Sequence, residues 1–156
     1  FIECDGIRGT VESITYQSTQ MQTLDGSIIA ILNSNLFAKS FKNLTRNHAY
    51  ELVKLPIGVA YGTSVSFVRE KLLERINKYI DNQNNPKKPD IDPQKRASVV
   101  FSAFGDSSVD LYVIMWVRIE TKLRTCGEIN EIIYNVLNEN NIQIPFPQRD
   151  IHLVRE

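Results

Sequence analysis

The sequence predicts an α+β protein in two parts, a small all-β unit over residues 1–47 and a larger α/β unit over residues 48–156. Three observations carry that reading. Asp25-Gly26 separates two strand-like runs near the start, the pattern of a tight hairpin. Two stretches beyond residue 60 place apolar residues at helical spacing. Between those stretches, Val109, Leu111, Val113, Met115, Val117 and Ile119 alternate without a break, as a strand with one buried face requires.

In the first unit, Val11, Ile14 and Tyr16 mark one strand, and Thr19 to Thr23 forms the next around Met21. Both Asp25 and Gly26 tolerate the positive φ of a tight turn. Ile28 to Leu32 follows as a buried strand, closed by the turn chemistry of Asn33-Ser34-Asn35. Phe37 to Asn43 fits either a last strand or a short helical turn. A β unit of about 45 residues lies near the lower limit for independent stability, so it is expected to lean on a neighbour or on copies of itself.

In the second unit, Tyr50 to Tyr61 is an extended run in which Pro56 points to an edge or a bulge. Thr63 or Ser64 can cap a helix whose apolar stripe is Val65, Val68, Leu72, Ile76 and Tyr79. The polar stretch from Asp81 to Arg96, carrying Pro86, Pro89 and Pro93, reads as a solvated loop. A strand from Ala97 to Phe104, with Val99, Phe101 and Ala103 on one side, turns through Gly105 to Ser108 into the alternating strand. Thr125 and Glu128 have capping-box spacing for a second helix with Ile129, Ile132, Ile133, Val136 and Leu137 on its buried face. Ile142 to Val154 reads as extended, entered through Pro145 and Pro147, with Phe146 as an anchor. The order strand-helix-strand-strand-helix-strand is the ferredoxin-like βαββαβ arrangement.

Eighteen basic and eighteen acidic residues cancel, so no large field recruits nucleic acid or an anionic membrane. Cys4 and Cys126 stand far apart and are expected to be unpaired and reduced. His48 and His152 sit at unrelated spacings, which argues against zinc and for ordinary surface or packing roles. No nucleophile, base and orienting group assemble as a hydrolase needs, and the glycines form neither a Walker loop nor a dinucleotide fingerprint. Asp90 and Asp92 read as solvated charges, and Phe101 as core rather than an RNA-stacking platform. Asn43-Leu44-Thr45 matches a glycosylation acceptor and is read as chance. The chain is therefore not expected to be an enzyme or to hold a cofactor or metal. No apolar run approaches the roughly 20 residues needed to cross a bilayer, so the chain is expected to be water-soluble. It opens on Phe1 rather than Met, as a piece of a longer protein would.

Several stretches in order resemble the soluble region of the small-conductance mechanosensitive channel family: Gly9-Thr10-Val11-Glu12-Ser13-Ile14, then Met21-Gln22-Thr23, Asp25-Gly26 and Asn33-Ser34. Asn43-Leu44-Thr45-Arg46 is similar to the segment joining that family's β and α/β domains. Ile57-Gly58-Val59-Ala60-Tyr61 looks like the strand entering the α/β domain. Ile144-Pro145-Phe146-Pro147-Gln148, with Asp150 and His152, looks like the closing signature. Leu32 departs from the family, which usually has Pro there.

The resemblance implies the cytoplasmic vestibule region of a subunit whose membrane helices precede Phe1, seated at a bacterial inner membrane. Its partners would be copies of itself, heptameric in the family, and the ions and small solutes that cross side openings. The first domain would be an Sm-like β-barrel ringing the space beneath the pore, and the second would wall a chamber. Asn43 and Arg46, in the joining segment, become candidates for the side-opening neighbourhood, with a solvated linker charge as the other reading of Arg46. Ile28, Ile29 and Ile31 are candidates for core or subunit contact, because so small a unit cannot cover every apolar strand residue internally. The alternatives are an intracellular RNA-binding or ligand-sensing module of ferredoxin-like fold, and a subunit scaffold with no transport role.

Overall fold

The computed structural model describes residues 1–46, 49–83 and 87–146, and the chain divides into two compact units, Phe1–Ala49 and Tyr50–Glu156. His48, Pro147 and His152 lie outside the described residues.

In the first unit, β1 (Ile2–Cys4), β2 (Ile7–Ile14), β3 (Ser18–Thr23), β4 (Ile28–Leu32) and β5 (Phe41–Asn43) form one antiparallel sheet in the order β4-β3-β2-β1-β5. β1 and its turn are additions to the sequence reading. Asp5 and Gly6 both take positive φ, 51° and 77°, the conformation that suits an Asp-Gly pair in a tight hairpin. At the β3–β4 turn only Gly26 does so, at 86°, which corrects the expectation for Asp25. Gly9 is required by close approach. A Cβ there would lie 2.6 Å from the Gln22 carbonyl oxygen on β3.

Both alternatives for residues 37–43 occur, since α1 (Asn33–Ala38) precedes β5. Asn33 therefore opens a helix instead of closing a strand with a turn. Its side chain holds the β2–β3 loop, with Nδ2 donating to the carbonyls of Thr15 at 2.9 Å and Tyr16 at 3.2 Å. Its Oδ1 accepts from the buried Thr19 hydroxyl at 2.8 Å. Leu32, in place of the family's usual Pro, has φ −60°, close to the angle a proline ring imposes.

In the second unit, β6 (Tyr50–Val59), β7 (Ser98–Phe104) and β8 (Val109–Arg118) form an antiparallel sheet in the order β6-β8-β7. Helices α2 (Val65–Asp81) and α3 (Lys122–Glu139) share its core. Every odd position of β8 is buried and packs with Val68, Leu72 and Ile76 of α2 and Ile129, Ile133 and Val136 of α3. The Ser64 hydroxyl accepts the Phe67 N–H at 3.4 Å and caps α2. Pro56 lies in β6, an edge of this sheet among the described residues, where a missing N–H is tolerated.

Several expectations change here. The loop before β7 is not wholly solvated, because Ile91 is fully buried and bridges to Val117. Thr125 does not cap α3. The helix begins at Lys122 behind a 3-10 turn at Ile119–Thr121, and Thr125 is buried inside it. Phe101 is 42% exposed, not core, although it pairs with the buried Leu111 and so lies on the core face of β7; that face is left partly uncovered just before the bulge between Phe101 and Ala103. Of the extended run expected from Ile142 to Val154, residues 147–154 lie outside the described residues; residues 142–146 form no strand, although the Gln143 carbonyl accepts the Ala60 N–H at 3.0 Å, and Phe146 is exposed rather than anchored.

Candidate functional site

The β unit buries little and exposes much. Its core is Ile2, Cys4, Met21 and Leu36, with Ile7, Val11 and Ile31 partly covered. Ile14, Tyr16, Leu24, Ile28, Leu32, Phe37 and Phe41 are all exposed. Scattered exposed apolar side chains are ordinary, but this many on one small sheet marks a surface for contact. The pleat explains the pattern on β4. Ile29 and Ile31 turn inward and are half-buried, while Ile28, Ala30 and Leu32 point outward. The expectation that Ile28 to Leu32 is a buried strand is therefore wrong. Among the described residues β4 is a sheet edge, so it has one fewer neighbour to cover it.

Across the sheet from β3 to β5 and beside α1, Phe1, Ile14, Leu36, Phe37, Phe41 and Asn43 are among the residues lining a shallow groove of about 400 Å³. Asn43 ends β5, and its Oδ1 accepts the Thr45 N–H at 3.2 Å. Arg46 is exposed. Glu3 on β1 accepts from Arg8 at 2.9 Å and from Lys42 at 3.3 Å. The Lys42 hydrogen bond, with both cations, holds this carboxyl below its ordinary range.

The α/β unit carries a polar cleft of about 420 Å³ lined in part by Tyr79, Asp90, Arg118, Arg124 and Glu128. Asp90 is not a free solvated charge, because Arg124 Nη2 donates to it at 2.8 Å. The Tyr79 hydroxyl donates to Glu128, whose other oxygen lies 3.6 Å from Arg124 Nε. Burial first, then the Glu128 bond, raises the Tyr79 phenol above its ordinary value. These charges satisfy one another and supply no activated nucleophile. Burial also raises the Cys126 thiol. On β7, Phe101 and Phe104 pack edge to face at 4.9 Å in the open, beside Ser102 and Asp106.

The exposed apolar set on α1, β5 and the β2–β3 loop went unread in the sequence. The signal was present in the number of large apolar residues within so short a unit. Among the described residues, no group of three or more metal-ligating side chains gathers, and no helix is long and apolar enough to cross a membrane.

Two family models divide the chain much as its fold does. Residues 1–46 match the mechanosensitive ion channel beta-domain, and residues 53–144 match the MscS C-terminal region. An uncharacterized MscS family protein of Synechocystis is 34% identical over 99% of this chain and 49% of its own length. A small-conductance mechanosensitive channel of Helicobacter pylori is 28% identical over 96% of this chain and 52% of its own length. The crystal structure of H. pylori MscS in a closed state superposes with a TM-score of 0.80 at 26% identity, covering 99% of this chain and 58% of that one. Arabidopsis MSL1, at 12% identity and a TM-score of 0.65, shares the fold over 94% of this chain and 51% of its own. This chain thus spans about half the length of the curated relatives it matches. With both family models of mechanosensitive ion channels matched in order and a Helicobacter pylori channel among its relatives, this chain belongs to the MscS family of mechanosensitive ion channels, not to a family of enzymes.

Proposed function

We propose that this chain is the cytoplasmic vestibule region of a bacterial inner-membrane channel subunit. It joins copies of itself through the β unit and admits ions and small solutes through side openings near Asn43 and Arg46. The observation that carries the reading is the imbalance in the β unit, whose exposed apolar side chains outnumber its buried ones. Among the described residues, the sheet also ends in two unpaired edges, β4 and β5. Different surfaces at opposite ends of one sheet suit head-to-tail association, which closes into rings when the rotation allows. The division at residues 47–48 is the proposed domain boundary, with Asn43 and Arg46 on its β side.

Sedimentation velocity tests the assembly directly. The chain should sediment as an oligomer at micromolar concentration. Ile28→Asp, at an outward position, should yield a folded monomer, whereas Ile31→Asp should unfold the β unit by charging its core. Ile29→Asp, at a half-buried position, should abolish assembly or the fold. A monomeric wild-type chain, or an Ile28→Asp variant that assembles as before, would overturn the reading.

A further inference from the structure

Two Asp-Gly turns cap hairpins of the β unit, Asp5-Gly6 between β1 and β2 and Asp25-Gly26 between β3 and β4, and their surroundings differ. An Asp-Gly link is open to ring closure because glycine has no side chain to hinder attack by its amide nitrogen on the preceding carboxyl carbon.

At Asp25 both reacting groups are engaged. The Thr23 hydroxyl and the Ser27 N–H, at 3.2 Å, donate to one carboxylate oxygen of Asp25. The Gly26 N–H donates to the Thr23 carbonyl at 3.0 Å. Among the described residues, the Asp5 carboxylate is met only by the ammonium of Lys39, a long and half-exposed side chain. No group among the described residues accepts the Gly6 N–H, and both turn residues are exposed.

We propose that Asp5-Gly6 is a site of spontaneous backbone isomerisation to isoaspartate, and that Thr23 protects the chemically equivalent Asp25-Gly26. The Gly6 nitrogen attacks the Asp5 carboxyl carbon. A C–N bond forms, the nitrogen proton and the carboxyl hydroxyl leave as water, and a five-membered succinimide results. Water then adds to the ring carbonyl derived from the Asp5 main chain and breaks its bond to nitrogen. The chain now runs through the former side chain, and the α-carboxylate is free. No oxidant or reductant is needed, and the mass is unchanged.

The consequence is local and severe. One extra methylene enters a turn that sets the Cys4–Ile7 and Ile2–Gly9 pairings, and β1 carries Ile2 and Cys4 of the small core. The modified turn would also present the free carboxylate that an isoaspartyl methyltransferase labels.

The test is incubation of the chain at neutral pH and body temperature, followed by peptide mapping with electron-transfer fragmentation. IsoAsp should accumulate at position 5 several-fold faster than at position 25. Thr23→Val should raise the rate at position 25 several-fold and leave position 5 unchanged. In urea the two rates should converge. Equal rates in the folded chain, faster reaction at position 25, no response to Thr23→Val, or the same ratio in urea would each overturn the proposal.

Discussion

Gln83 and Ile91 are joined in both directions through one side-chain amide. The Ile91 N–H donates to Gln83 Oε1 at 2.8 Å, and Gln83 Nε2 donates to the Ile91 carbonyl at 3.1 Å. Nε2 also donates to the Ile80 carbonyl at 2.9 Å, so Gln83 ties the loop to the end of α2. The amide does for Ile91 what a neighbouring strand would do, and Ile91 can then sit fully buried.

Gln83→Ala should therefore destabilise the α/β unit by about 1–3 kcal/mol, the cost of leaving buried backbone groups without partners. Ile91→Ala should cost about 2–5 kcal/mol, as for other buried large-to-small changes. Gln83→Glu keeps the acceptor but sets a carboxylate oxygen against the Ile80 and Ile91 carbonyls, so it should be at least as destabilising as Gln83→Ala. Urea denaturation monitored at Trp116 measures all three. Wild-type stability in Gln83→Ala would show that the loop holds itself in place.

Gly9→Ala should be poorly tolerated. The added methyl would stand 2.6 Å from the Gln22 carbonyl oxygen and 3.1 Å from its carbon, both backbone atoms that cannot rotate away. Separating β2 from β3 should cost about 1–3 kcal/mol, the range for overpacking. Reduced amide protection in β2 and β3 by hydrogen exchange checks it.

Tyr79 makes stability fall in alkali. Its phenol is held protonated in the folded state, so its folded pKa lies above the unfolded value of about 10. The contribution is complete below that unfolded value and is lost as pH rises from it toward the folded pKa. Tyr79→Phe should flatten this part of the stability–pH curve, measured by chemical denaturation at a series of alkaline pH values. A curve identical to wild type would exclude the Tyr79–Glu128 bond as the source.

If Arg46 borders a side opening, Arg46→Glu in the full-length channel should shift ion preference toward cations. Patch-clamp reversal potentials in asymmetric salt measure this. Unchanged potential and conductance would leave Arg46 as a solvated charge of the linker.

Much of the fold was legible because the relevant signals are local. The unbroken alternation from Val109 to Ile119 could bury one face only as a strand, and it does so at every odd position of β8. The Val68, Leu72 and Ile76 spacing likewise has one helical solution. Asp5-Gly6 carries the same turn signal in the sequence as Asp25-Gly26, and it is the pair with both residues at positive φ.

What the sequence alone determined is the set of elements, their order and, through the family resemblance, the class of protein. The tertiary structure decided which apolar residues are covered. Periodicity shows that Ile28 and Phe101 alternate with their neighbours, but not whether another strand or helix lies across from them. Among the described residues β4 is a sheet edge and Ile28 faces outward, while Phe101 shares the core face with its partner Leu111 yet is left partly uncovered there. Ile91, with no periodic pattern around it, is buried because the Gln83 side chain takes up both its backbone groups and because Asp90 and Asp92 on either side of it bond to Arg118 and Trp116 of the sequence-distant β8. Burial depends on neighbours brought from elsewhere in the chain, and only folding brings them.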